Sequence, residues 1–105
     1  MRARHILIPY KGWWPPDRRR ISLTKEEAYG FAVELRQRVL TGESFADLAR
    51  VHSHCASRER GGDLGYFLAG DMEPSFEKAL TSVKPGDVAP IARTEHGWHV
   101  ILRLD

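Results

Sequence analysis

Arg60-Gly61-Gly62-Asp63-Leu64-Gly65-Tyr66-Phe67 is the stretch on which the fold turns. Glycine tolerates positive φ and a close backbone approach, so the segment reads as a turn feeding a short strand near 64–67. Leu64, Tyr66 and Phe67 give that strand apolar surface to bury. Met72 and Phe76 follow at short range, so with Leu64 three apolar groups of different shape lie close together in the chain. Pro74 suits the first position of a short helix carrying Phe76, Ala79 and Leu80. On the other side, polar residues 55–60 read as a turn or a single helical turn.

Further out, residues 3–10 read as a strand, with Ile6 and Ile8 alternating against His5 and Leu7. A loop from Lys11 to Ser22 holds Trp13, Trp14, Pro15, Pro16 and three consecutive arginines. Thr24 with Glu27 makes a capping box, Ala28, Ala32, Leu35 and Val39 form a helical stripe, and Gly42 ends it. Ser44 is a second N-cap candidate, ahead of Phe45, Leu48 and Ala49. Pro85-Gly86 signals a type II turn into a strand at 88–92, with 93–97 as hairpin connection and 98–104 as the last strand. The sum is one α+β domain over residues 1–105: a small, mainly antiparallel four-stranded sheet surrounded by about four helices. There is no internal repeat, linker or low-complexity tract.

At 105 residues the chain supports one core. Its net charge of +2 is too small to argue for nucleic acid. One cysteine forms no internal disulfide, and the apolar run before Pro9 is too short for a signal peptide. No segment is long and apolar enough to span a bilayer. The expectation is a reducing, cytoplasmic setting (nuclear in a eukaryote), with a monomeric protein and no membrane partner.

Five pieces in order extend the reading: His5-Ile6-Leu7-Ile8, Thr24-Lys25-Glu26-Glu27-Ala28, Phe45-Ala46-Asp47-Leu48-Ala49, Arg60 to Gly65, and Gly97-Trp98-His99-Val100-Ile101. Together they resemble the parvulin family of peptidyl-prolyl cis/trans isomerases across nearly the whole chain. The resemblance implies an enzyme that accelerates rotation about Xaa-Pro bonds in peptides and proteins, without cofactor or metal. It makes Leu64, Met72 and Phe76 the proline pocket, and His5 and His99 a hydrogen-bonded pair on neighbouring central strands. Thr94 matches a threonine tied to that pair. Cys55 stands at a position that is cysteine or aspartate across the family, beside the isomerising bond. Glu73 and His96 match polar residues of the rim.

Each residue type also fits a plainer role. Leu64, Met72 and Phe76 suit a core, which is where most apolar residues go. The histidines suit a sheet interior, and a lone cysteine is more often an inert small hydrophobe. Polar neighbours His52, Ser53, His54, Ser57 and Arg58 favour exposure and a lowered pKa for Cys55. His52, His54 and Cys55 with His96 and His99 supply enough ligands for zinc, but at a spacing that matches no standard structural site.

The loop departs from the family's phosphate-directed members. Pro9 replaces their lysine, and their Ser-Arg-Arg-Pro element is absent. Arg18, Arg19 and Arg20 nevertheless offer guanidinium forks suited to phosphate or carboxylate, so a phosphoSer/Thr-Pro or Glu-Pro preference is expected. The plain alternative is a solvated charge run, and RNA stacking on the tryptophans is a weak third. Two functions stand: an active isomerase, or a non-catalytic parvulin module binding proline-containing or unfolded segments within a chaperone. Retention of His5, Cys55, Leu64, Met72, Phe76 and His99 together favours the first.

Overall fold

Arg2–Ile8 forms the strand β1, and Gly97–Arg103, the last strand in the chain, pairs with it antiparallel at the centre of the sheet. Between them, in a computed structural model that describes residues 1–11 and 23–105, come α1 (Lys25–Leu40), α2 (Phe45–His52), a 3-10 turn (Ala56–Arg60), β2 (Asp63–Tyr66), α3 (Pro74–Thr81) and β3 (Ala92–Thr94). With Gly97–Arg103 as β4, the sheet order is β2-β1-β4-β3, every neighbouring pair antiparallel. This is the expected α+β architecture, with three α-helices and one 3-10 turn in place of about four helices. The loop residues 12–22, with Trp13, Trp14 and the arginines, lie outside the described residues.

Local chemistry sets the boundaries. Thr24 Oγ1 accepts the Glu27 N–H at 3.1 Å while Glu27 Oε1 accepts the Thr24 N–H at 3.0 Å, so the capping box starts α1 as read. Ser44 Oγ accepts the Asp47 N–H and starts α2. Pro85 and Gly86, the latter at φ +94°, form the type II turn, closed by Asp87 N–H to Lys84 O at 3.0 Å.

Strand limits differ from expectation, by one residue at the start of β1 and at both ends of β2 and β4, and by more elsewhere. β1 ends at Ile8, before Pro9, and β2 starts at Asp63. The strand expected at 88–92 is reduced to one bridge, Val88 to Leu102, and a ladder resuming at Ala92. Pro90 has no N–H to give, so pairing breaks there. Residues 93 and 94 therefore belong to β3, and Glu95-His96 is the turn.

Both sheet faces are covered, and strand parity decides what lies on each. In the β1–β4 ladder Ile6 opposes Val100, while His5 opposes Ile101 and Leu7 opposes His99. Ile6, Ile8 and Val100 pack with Ala28, Ala32, Leu35, Phe45, Leu48 and Ala49 beneath α1 and α2. Ala3 and Ile101 pack on the opposite face with Phe67, Phe76, Leu80, Ala89 and Ala92 beneath α3. The alternation expected in β1 is therefore between two buried faces, and His5 is as buried as Ile6. Among the described residues no helix is long and apolar enough to cross a membrane.

The Gly61-Gly62 turn meets this sheet without room for a side chain. Gly62 sits at φ +83°, its carbonyl accepts the His5 N–H at 2.9 Å, and a Cβ built on it would stand 2.4 Å from His5 O. Gly62→Ala is expected to cost several kcal/mol, on the order of 1–3 from backbone strain alone, with displacement of β1 at His5. Gly30, exposed in α1 with no atom within 4 Å of a built Cβ, should behave oppositely. Gly30→Ala is expected to stabilise by about 1 kcal/mol. Urea melts of the two variants check the pair: equal effects would mean that Gly62 is not pinned by β1.

Candidate active site

His5 and His99 share a sheet face one diagonal step apart on the two central strands, close enough for side chains to meet. Their Nδ1 atoms lie 2.9 Å apart and their rings stack at 5.1 Å, with 5% and 4% of each residue exposed. His99 Nε2 lies 2.6 Å from Thr94 Oγ1, which also accepts the His96 N–H at 3.0 Å. Thr94 faces Gly97 across the β3–β4 ladder, so the register puts it beside His99.

Two neutral proton arrangements satisfy this chain. In one the Thr94 hydroxyl gives its proton to His99 Nε2 and His99 Nδ1–H donates to His5 Nδ1; in the other His5 Nδ1–H donates to His99 Nδ1 and His99 Nε2–H to Thr94 Oγ1. Either leaves His5 Nε2 buried and without a partner among the described residues. Charging either ring would put an ion in a dry site. Burial, with the nearby His96 charge adding to it, lowers the His5 pKa to about 4. Burial, then His5 and His96, holds His99 well below the ordinary histidine value. Both rings are neutral at pH 7.

Above the pair opens a cavity of about 180 Å³, lined by His5, His99, Thr94, Leu64, Met72, Phe76, Asp71, Glu73 and His96. Phe76 stands edge-on to both imidazoles, at 5.9 Å from His5 and 5.4 Å from His99. It is 3% exposed and belongs to the core as well as to the cavity, whereas Leu64 and Met72 are only partly buried at its edge. Leu64 arrives through the glycine turn: Asp63 Oδ1 accepts the Gly65 N–H at 2.8 Å and is paired with Arg2. The Arg2 hydrogen bond holds the Asp63 carboxyl below its usual range.

Eight of the residues singled out in the sequence therefore line one cavity: His5, Leu64, Met72, Glu73, Phe76, Thr94, His96 and His99. Cys55 is not among its lining residues. It is a half-buried free thiol at the start of the 3-10 turn, with its N–H directed to Ser53 Oγ at 3.3 Å. Ser53, read in the sequence only as a polar neighbour of Cys55, is the residue that docks this segment: its buried Oγ also accepts the Leu7 N–H at 3.0 Å, and His54 N–H reaches Leu7 O. Asp71 was likewise missed, since an acidic residue before a helix carries no signal of facing a cleft. Arg18, Arg19 and Arg20 lie outside the described residues. The ligand set weighed for zinc does not assemble: His99 is spent on His5 and Thr94, and His96 sits beside Glu73 and Glu95 instead.

The neutral pair has a pH signature. A histidine whose folded pKa lies below its unfolded value of about 6.5 contributes stability that is complete above that value and lost as pH falls toward the folded one. His5 alone should withdraw about 3 kcal/mol between pH 6.5 and 4, with His99 acting in the same direction. Imidazole proton shifts of both residues should stay constant from pH 8 to 5.5 while urea-derived stability declines below pH 6.5. Titration of either ring near pH 6.5 would contradict the dry, neutral arrangement.

Comparison with known proteins places the chain. The model of the rotamase family, the PPIC-type PPIase domain, matches residues 5–105. The peptidyl-prolyl cis-trans isomerase Pin1 of Digitalis lanata is 43% identical over 111 residues, covering 98% of this chain and 94% of that protein. The chaperone SurA of Aromatoleum aromaticum is also 43% identical, over 95% of this chain but only 21% of its own length. The peptidyl-prolyl isomerase ESS1 of Candida albicans superposes with a TM-score of 0.92 at 34% identity, over 99% of this chain and 62% of that one. The solution structure of TbPIN1 gives 0.90 at 38%, over 99% and 96%. A match of this length to the family model, with the same fold in its enzymes, makes the chain a member of the parvulin family and a peptidyl-prolyl cis/trans isomerase.

Proposed function

We propose that the cavity over the histidine pair is where the proline ring of the substrate sits, gripped by Leu64, Met72 and Phe76. The observation that carries this reading is an apolar recess whose polar floor is neutral and already hydrogen-bonded. Prolyl isomerisation asks little more. The spontaneous reaction takes tens to hundreds of seconds over a barrier of roughly 18–20 kcal/mol. Reaching about 10–100 turnovers per second requires removing only ~4–6 kcal/mol. An enzyme that holds the ring and favours the twisted amide over both planar forms meets that demand without a covalent bond.

In this reading His5, His99 and Thr94 keep the floor rigid and uncharged, while Glu73 and His96 border the bound chain. Cys55 acts through its polarity near the carbonyl, not as an attacking nucleophile, consistent with the aspartate found there in other parvulins. The reaction needs no cofactor. Residues 1–105 act as one catalytic unit, monomeric, in a reducing compartment such as the cytoplasm or nucleus. Arg18, Arg19 and Arg20 give a preference for acidic or phosphorylated residues before proline, a reading that rests on sequence alone. The SurA likeness, over about a fifth of that protein, supports a second setting in which such a unit serves within a chaperone.

Kinetics and stability separate the residues. Met72→Ala should lower kcat/KM about tenfold with a small change in stability, because Met72 is only partly buried. Phe76→Ala should lose both, with about 3–5 kcal/mol of stability. Cys55→Asp should keep most activity in exchange NMR on an Ala-Pro peptide. Full activity in Met72→Ala would remove it from the pocket, and a folded but inert Cys55→Asp would refute the electrostatic role.

Substrate choice is tested on peptides that vary only the residue before proline. Replacing Arg18, Arg19 and Arg20 with Ala should reduce turnover of Glu-Pro and phosphoSer-Pro peptides severalfold while sparing Ala-Pro. Equal loss on all peptides, or none, would mean the arginines form only a solvated face.

A further inference from the structure

The mouth of the cavity carries three side chains whose arrangement the isomerase reaction does not require. Glu73 is the N-cap residue of α3, and Glu95 and His96 form the turn between β3 and β4. His96 Nε2 lies 3.6 Å from Glu73 Oε1 and 3.9 Å from Glu95 Oε1, and the ligating atoms of all three fall within 4.8 Å of one another. A zinc ion bound at about 2.0–2.2 Å by imidazole nitrogen and carboxylate oxygen sets its donors roughly 3.0–3.6 Å apart. Small movements of exposed side-chain ends bring these three into that range.

Backbone geometry helps to aim them. Glu73 Oε2 accepts the Glu95 N–H at 3.1 Å, which leaves Oε1 on the side of His96. The His96 N–H is held by Thr94, so the imidazole is carried on a turn tied to the floor of the site. His5, only 5% exposed, lines the same recess, and its buried Nε2 has no partner among the described residues. The donor set decides the ion. One imidazole with two carboxylates suits zinc, whereas magnesium and calcium take oxygen ligands. Three protein ligands leave a fourth position open, as an exchangeable site requires.

We propose that Glu73, Glu95 and His96 form a zinc-binding site at the mouth of the cavity, and that Zn²⁺ bound there inhibits isomerisation reversibly. The ion would fasten the start of α3 to the β3–β4 turn across the entrance and place charge where the substrate chain must pass. It is a brake, not a cofactor. The inhibition rests on the cavity being the substrate pocket; the binding does not.

Calorimetric titration of ZnCl₂ into the wild type, Glu95→Gln and His96→Ala, with amide NMR spectra confirming that each variant is folded, tests the site. One ion per chain is expected in the wild type, bound at least tenfold more weakly by each variant. Co²⁺, as a paramagnetic probe, should broaden amide signals of residues 73 and 94–97. Zn²⁺ should slow isomerisation of an Ala-Pro peptide by the wild type and leave Glu95→Gln, whose metal-free rate is unchanged, unaffected. No binding, equal binding by all three proteins, or broadening centred on His52, His54 and Cys55 would overturn the site. Zinc bound at the entrance without slowing the enzyme would overturn the inhibition, and would count against the pocket assignment while leaving the metal site in place.

Discussion

The contact between His5 and His99 across the two central strands is the constraint around which the rest is arranged. Two imidazoles meet nitrogen to nitrogen in a buried site, so neither can hold a charge cheaply. The strands beneath them must stay in register to within a fraction of an ångström, because the bond links a diagonal pair. Neighbouring elements enforce that register. Gly62 approaches β1 closely enough to accept the His5 N–H, and Ser53 holds Leu7 two residues further on. Gly97 begins β4 where a side chain would strike the backbone at Ile8.

The sheet divides its labour by face. Under α1 and α2 lies an apolar layer of Ile6, Ile8, Val100 and the small helix residues Ala28 and Ala32, which let α1 come close. Arg36 ties α1 to the chain ahead of β3 through the Ala89 carbonyl at 2.9 Å, and Trp98 Nε1 reaches Lys25 O at 3.1 Å. Under α3 the packing is deliberately incomplete. Phe76 fills the depth against both histidines, while Leu64 and Met72 stop at the edge and leave the recess open. Core and cavity wall therefore share Phe76.

A modest chemical task suits such a site. Rotation about a prolyl bond moves no electron pair to the protein, so an uncharged, preorganised floor and an apolar grip go a long way toward it. Other polar groups lie toward the entrance: Asp71, Glu73 and His96 border the cavity, and Glu95 stands beside His96 in the turn. Groups at an entrance can change from one protein to another without disturbing the floor.

Much of this was written in the chain itself. The capping box at Thr24, the N-cap at Ser44, the Pro85-Gly86 turn and the glycine turn before Leu64 are local signals, fixed by which backbone angles and hydrogen bonds a few adjacent residues permit. The ordered motifs also singled out residues that meet in space: His5, Leu64, Met72, Glu73, Phe76, Thr94, His96 and His99 line one cavity. What the chain could not determine alone depends on distance across the fold. Pro90 broke the strand read at 88–92, because it has no N–H to give to the ladder. That Phe76 is buried and also walls a cavity depends on α3 lying against the histidines. The neutrality of those histidines, the meeting of Glu73 with a turn 22 residues away, and the docking role of Ser53 arise only in three dimensions. Burial and long-range hydrogen bonding are properties of the packed sheet, and no sequence-local rule contains them.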